Sequence, residues 1–254
     1  MNLFTVKWYT KFLTSLLKRS DSLKKAMELK KEGKWEEYKP FVDNELYQWL
    51  NPLIDMAGVD FVVKGKENIP ENEPIIYTPN HASMFDIPAV FLNAPTMPMF
   101  IAKKELSMFP FLKHWMWVLD CVFVDRQKKN GSRSSLHEAI EMVKSGRSLV
   151  IFPEGTRSKD GKLGEFKGGA MKIAMESGAK VVPVLIEGSR ARLEETGNIT
   201  SGTVYVTFLP PIETKGLEKE DFFKMPEQIR AMLQNERDKQ NAEKQTETTS
   251  EIVE

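Results

Sequence analysis

From Leu3 to Lys18 the polar positions Lys7, Lys11, Thr14 and Lys18 recur at helical spacing on a narrow stripe. Leu3, Phe4, Trp8, Tyr9, Phe12, Leu13, Leu16 and Leu17 cover most of the remaining circumference, which predicts an amphipathic helix. A second helical pattern places Trp35, Tyr38, Val42, Leu46, Trp49 and Leu53 on one side, with Pro40 and Pro52 expected to kink or bound it. After Gly58 the pattern changes. Apolar runs at Val59 to Val63, Ile75 to Thr78, Met97 to Ala102, Cys121 to Val124, Ser148 to Phe152, Val181 to Ile186 and Thr203 to Leu209 predict seven strands. Between them, Leu136, Ile140 and Val143 share a helical face, as do Ala170, Ile173 and Ala174.

This alternation predicts an α/β domain with a mostly parallel sheet covered by helices on both sides. Three parts follow: an N-terminal amphipathic helical pair over 1–58, the α/β domain over 59–234, and a polar, Glu- and Thr-rich tail over 235–254 expected to be disordered. Two readings of the helical pair stand side by side. Either its apolar face packs on the domain, or it lies in a bilayer interface, where basic residues together with Trp and Phe are the expected mix.

Charge sharpens the second reading. Residues 1–25 carry Lys7, Lys11, Lys18, Arg19, Lys24 and Lys25 against Asp21 alone, although the whole chain of 254 residues has a formal net charge of zero. That balance removes any global attraction to nucleic acid. No charge-free run reaches the roughly 18 apolar residues of a spanning helix, and Lys7 and Lys11 interrupt what would otherwise resemble a signal peptide. A single cysteine, Cys121, excludes an internal disulfide framework and a cysteine-based zinc cluster.

The candidate chemistry sits at strand ends. Asn80-His81-Ala82-Ser83-Met84-Phe85-Asp86 follows the second strand. A five-residue separation is about 140° on a helix, so His81 and Asp86 meet only if His81 lies in the loop and Asp86 in the helix after it. An Asp bonded to one imidazole nitrogen leaves the other as a base, although a His near an Asp is also a common structural pair. Phe152-Pro153-Glu154-Gly155-Thr156-Arg157-Ser158 combines a tight turn, a hydroxyl and a guanidinium fork suited to phosphate; a plain turn with a surface ion pair is the bland reading. Phe123-Val124-Asp125-Arg126 adds a second arginine, and Lys103 and Lys104 add charge on the same side of a parallel sheet. Pro183, within Val182-Pro183-Val184, marks an edge, a bulge or a special backbone path. Met108 to Leu119 reads equally as an acyl-chain channel, a membrane face or a packed helix. His114 and His137 match no motif and are read as structural.

In this order, Asn-His-x-Ser-x-x-Asp, Phe-x-Asp-Arg, Phe-Pro-Glu-Gly-Thr-Arg-Ser and Val-Pro-Val resemble the four motifs of the glycerolipid acyltransferase family, and within it the bacterial 1-acylglycerol-3-phosphate acyltransferases. The match runs from about Val59 to Pro211; it departs at the second motif, where relatives often begin with Gly and Asp120-Cys121 stand here. The resemblance implies that His81 is the general base and Asp86 its orienting partner, with backbone N–H groups near this motif available to an oxyanion. It assigns acceptor phosphate and glycerol recognition to Arg126, Glu154, Gly155, Thr156 and Arg157, with Lys103 and Lys104 beside them, and acyl-donor binding to Pro183 and Val184. It implies transfer of an acyl group from acyl-CoA or acyl carrier protein to lysophosphatidic acid at the cytoplasmic face of a membrane, without metal or redox cofactor. Because a thioester is already activated, Ser83 and Cys121 are not expected to be nucleophiles. Glycerol 3-phosphate or another lysophospholipid as acceptor, thioester hydrolysis, and a non-catalytic lipid-binding role are the alternatives. Hydrolysis would leave Arg126 and Arg157 without a task, and a lipid-binding role would do the same for His81 and Asp86.

Overall fold

The computed structural model describes residues 1–95, 97–125 and 131–253. Three helices lead, α1 (Leu3–Leu17), α2 (Ser20–Lys31) and α3 (Trp35–Ala57), before the strands β1 (Val59–Lys64) and β2 (Ile75–Pro79). Then come α4 (Asp86–Phe91), β3 (Met99–Lys103), α5 (Pro110–Val118), β4 (Val122–Val124), α6 (Gly131–Lys144) and β5 (Leu149–Val150). The chain ends with α7 (Gly169–Ser177), β6 (Lys180–Glu187), β7 (Gly202–Phe208) and α8 (Lys219–Val253).

The strands form one sheet in the order β1-β7-β6-β2-β5-β3-β4. Every pairing is parallel except β6 with β7, so β1 and β7 run opposite to the other five. The expected sheet, mostly parallel and covered on both faces, is the one that forms. Successive strand residues serve opposite layers. Tyr77, Phe100, Val150, Val182 and Val184 join the core beneath α1 to α5. Ile76, Met99, Leu149, Val181 and Leu185 join the core beneath α6 to α8. Two buried faces explain why these strands read as continuous apolar runs and not as alternating ones.

The N-terminal segment is a trio of helices, not a pair. The helix α2 escapes the pattern because its inner side is only Leu23, Ala26 and Leu29, all buried, in an otherwise charged sequence. Neither proline ends α3. Pro52 has no N–H to give to Gln48, four residues earlier, and the Arg19 guanidinium donates to that carbonyl instead at 2.9 Å. The helix stops at Gly58, whose φ of 66° is the left-handed cap glycine favours. On α1, Trp8 and Leu16 are buried, and Trp8 Nε1 donates to the Leu53 carbonyl at 2.7 Å. Leu3, Val6, Leu13 and Leu17 remain exposed on the other side. Packing therefore takes one flank of the helix and leaves a second apolar stripe uncovered.

The C-terminal stretch expected to be disordered from Asn235 is the continuation of α8. Long-range bonds hold its middle: Arg237 pairs with Glu187, and Gln240 Nε2 donates to Thr207 Oγ1 at 3.0 Å. Composition alone does not reveal such anchors. No helix among the described residues is long and apolar enough to cross a membrane.

Candidate active site

Strand direction gathers the candidate residues. Because β2, β3, β4, β5 and β6 run the same way, the turns that follow them emerge on one edge of the sheet, the usual position for a site in an open α/β sheet. The turn after β2 carries His81, that after β5 carries Glu154 to Arg157, and Lys103 and Lys104 close β3. Arg126 lies outside the described residues.

His81 sits in the turn and Asp86 is the first residue of α4. Asp86 is fully buried, and its Oδ2 lies 2.9 Å from His81 Nδ1 while accepting the Ala82 and Ser83 N–H groups, each at 2.7 Å. An oxygen that accepts two backbone N–H bonds is best met by a third donor, so Nδ1 is the donor toward Asp86, which leaves Nε2 outside that bond. The imidazole stacks on Phe152, ring centroids 4.0 Å apart. The rest of the residue is gripped by the third motif: Glu154 Oε1 accepts the His81 N–H at 3.0 Å, and the Ser158 N–H donates to the His81 carbonyl at 2.7 Å. The His81 side chain and backbone are thereby both held in place.

The same bonds reassign two expected roles. Glu154 is buried, with its carboxylate turned toward the His81 N–H, so it braces the first turn and does not face a polyol. Burial pushes its carboxyl above the usual range, with the His81 and Gly164 N–H groups opposing that shift. Gly164 allows this approach, since a Cβ there would stand 3.1 Å from Glu154 Oε2. Nor are the amides of the first turn open to an oxyanion. The N–H of His81 goes to Glu154, those of Ala82 and Ser83 to Asp86, Met84 to Glu194 at 2.9 Å, Phe85 to Ser83 Oγ, and Asp86 to the Ser83 carbonyl.

Gly155 takes φ 74°, which reverses the chain and leaves Thr156 and Arg157 exposed at the edge. Arg157 Nη1 pairs with Glu194 at 2.8 Å. Lys103 is exposed, and Lys104 pairs with Asp125 at 2.9 Å. Pro183 and Val184 lie inside the sheet, not at an edge. Pro183 falls between the Val181–Ile212 bridge and the β6–β7 ladder that starts at Val184, a gap in the pairing where a strand tolerates a missing N–H. Val184 is paired with Pro79, next to the His81 turn, and is wholly buried. Asn80 adds a tie that its place in the motif did not announce: its amide exchanges two bonds with the Ile186 backbone, at 2.7 and 2.9 Å. Among the described residues the side-chain partners of Asn80 and Glu194 are distant in sequence, and the fold brings them close.

Cys121 is no candidate nucleophile, since burial pushes its thiol up to about 12. His114 and His137 are exposed on α5 and α6. Asp120, in the region where relatives often carry Gly, adopts φ 56° and pairs with Lys30 and with Arg147. The α5 segment packs Trp115, Met116 and Val118 inward and leaves Met108, Phe109 and Trp117 exposed.

Comparison with known proteins follows this geometry. Residues 60–187 match the acyltransferase family, a stretch that holds all four motifs. Over 166 residues the chain is 33 % identical to a 1-acyl-sn-glycerol-3-phosphate acyltransferase of Borreliella burgdorferi, covering 65 % of this chain and 66 % of that protein. Over 182 residues it is 34 % identical to the Saccharomyces cerevisiae protein of the same name, covering 70 % and 60 %. The crystal structure of the 1-acyl-sn-glycerophosphate acyltransferase PlsC from Thermotoga maritima superposes with a TM-score of 0.80 at 28 % identity, covering 94 % of this chain and 95 % of that one.

Proposed function

We propose that this chain, which belongs to the acyltransferase family, moves a fatty acyl group from a thioester carrier to the free hydroxyl of a 1-acylglycerol 3-phosphate, giving phosphatidic acid. The observation that carries the reading is His81, held through Nδ1 by a buried Asp86 with Nε2 unengaged by that bond, beside the exposed Arg157 fork. The names of the relatives support the choice of acceptor.

In this mechanism His81 Nε2 takes the proton of the acceptor hydroxyl as its oxygen attacks the thioester carbonyl. Asp86 stabilises the imidazolium that results. The tetrahedral intermediate collapses, the C–S bond breaks, and His81 returns its proton to the departing sulfur, so thiol and ester leave and the enzyme is unchanged. Arg157 holds the acceptor phosphate, with Thr156, Lys103 and Lys104 as further contacts at that edge, and Arg126 is a further candidate from its motif alone. Pro183 and Val184, inside the sheet next to the His81 turn, back the side of the site that takes the donor. Nothing in these steps calls for a metal or redox group. Acyl-CoA and acyl carrier protein both fit the chemistry.

The same reading places the protein on the cytoplasmic face of a membrane through α1. Leu3, Val6, Leu13 and Leu17 form the uncovered stripe at helical spacing, flanked by Lys7, Lys11 and Lys18, as an interfacial helix requires.

The test is steady-state kinetics of Arg157→Ala with lysophosphatidic acid. Loss of a charge-assisted bond of about 1.5–3 kcal/mol predicts a fall in acceptor kcat/KM of about tenfold or more, with donor KM unchanged. An unaltered acceptor kcat/KM would contradict the assignment.

A further inference from the structure

We propose that Glu194, which lies outside all four motifs, is a positioning residue that aims Arg157 at the acceptor phosphate and ties it to the turn bearing His81. This inference rests on Arg157 being the phosphate ligand.

The geometry is a bridge through one oxygen. Glu194 Oε1 accepts the Met84 N–H at 2.9 Å and the Arg157 Nη1 at 2.8 Å. Its second oxygen, Oε2, is buried without a hydrogen-bond partner among the described residues, so Oε1 alone anchors the carboxylate. Met84 belongs to the turn whose other amides hold Asp86 and receive Glu154. One side chain thus sets the distance between the phosphate fork and the catalytic turn. Arg157 needs such a hold. Its side chain is 52 % exposed, while that of Glu194 is 16 % exposed, so the carboxylate is the fixed partner and the guanidinium the movable one. A guanidinium held through Nη1 still presents Nε and Nη2 to a phosphate, the bidentate edge of the fork.

The loop around Glu194 is itself clamped. Arg190 Nη2 donates to the Lys159 carbonyl at 2.6 Å, just past the third motif, and Arg190 Nη1 pairs with Glu195 at 3.0 Å. Ile199 N donates to Thr5 Oγ1 at 2.9 Å, which fastens the loop to α1. The helix also brings Tyr9 beside the pair. Burial pushes its phenol up, the Glu194 carboxylate pushes it further, and Arg157 opposes them. The helix with the uncovered apolar stripe is therefore fastened to the loop that carries Glu194.

The experiment measures KM and kcat for acceptor and donor in Glu194→Ala, Glu194→Gln, Arg157→Ala and the double variant Glu194→Ala/Arg157→Ala, with thermal unfolding to verify folding. Lysophosphatidic acid is the acceptor, and monoacylglycerol is the phosphate-free control. The expected result is an acceptor KM raised about tenfold in Glu194→Ala, an unchanged donor KM, and no loss with monoacylglycerol. Glu194→Gln, which keeps an acceptor oxygen, falls between, and Glu194→Ala adds nothing once Arg157 is gone. An acceptor KM unchanged or lowered in Glu194→Ala, while Arg157→Ala raises it, overturns the role of Glu194 and leaves the phosphate assignment intact. An acceptor KM unmoved in Arg157→Ala overturns the phosphate assignment itself. Equal losses with both acceptors mean that Glu194 supports only the fold, and they overturn the proposal. If Glu194→Ala does not fold, the cycle of Glu194→Gln with Arg157→Ala decides, non-additive acceptor effects being expected and additive ones excluding the coupling.

Discussion

Asp86 concentrates three N–H bonds on a single buried oxygen, and this fixes the outcome of replacing it. In Asp86→Asn the amide oxygen can still accept from Ala82 and Ser83, so the turn survives. That same oxygen still faces His81 Nδ1, and the NH2 takes the place of Oδ1, so the variant loses the negative charge that would stabilise an imidazolium while the turn is kept. A fall in kcat of about a hundredfold or more is expected, with thermal stability close to wild type, and a kcat near wild type would contradict the assigned role. Glu154 gives a prediction in pH. Its carboxyl is raised in the folded protein by burial, so the folded state holds that proton more tightly than the unfolded chain does. The advantage is present at low pH and is lost as pH rises from the ordinary carboxylate range through the raised value. Wild type should therefore lose stability relative to Glu154→Gln over that interval in denaturant titrations; a constant difference would show that the shift is absent. His81 and Asp86 were legible because their types, order and spacing form a motif. The bracing role of Glu154 was not, because an exposed and a buried carboxylate in a turn look alike in sequence.

At the scale of elements, periodicity was most informative where burial is two-sided. All seven strands announced themselves as apolar runs, although β5 is only Leu149–Val150. What periodicity could not reach were elements held by distant partners. The helix α2 has three buried residues in a charged segment, and α8 is secured by Glu187 and Thr207 from two strands. Pro52 was expected to kink or bound α3 and does not end it, and Arg19 serves the carbonyl it orphans. For α1 both readings of the sequence describe something real, on different flanks: Trp8 and Leu16 pack, and Leu3, Val6, Leu13 and Leu17 do not. Leu13→Glu/Leu17→Glu places charge on the uncovered flank without touching the packed one. The variant should fold normally yet fail to sediment with anionic vesicles that retain wild type; undiminished sedimentation would show that another surface makes the contact.

Across the whole molecule, the strand order does what no local pattern can. It sets the His81 turn beside Glu154 to Ser158, and it brings Glu194 to Met84 and Arg157 from more than thirty residues away in either case. The site is therefore a set of loops tied backbone to side chain, with α1 attached through Thr5. Fold class and the principal motifs were legible in the sequence because apolar patterning and the spacing of reactive residues are local. The cross-links that make those residues rigid were not, since each joins elements far apart in the chain.

The central claim is that His81 acts as the base in acyl transfer to a phosphate-bearing acceptor. The most direct test is thiol release from acyl-CoA and from acyl carrier protein, with and without lysophosphatidic acid, for wild type and His81→Ala. The account predicts release that depends on the acceptor, yields phosphatidic acid, and vanishes in the variant. Release independent of any acceptor, or undiminished in His81→Ala, would contradict it.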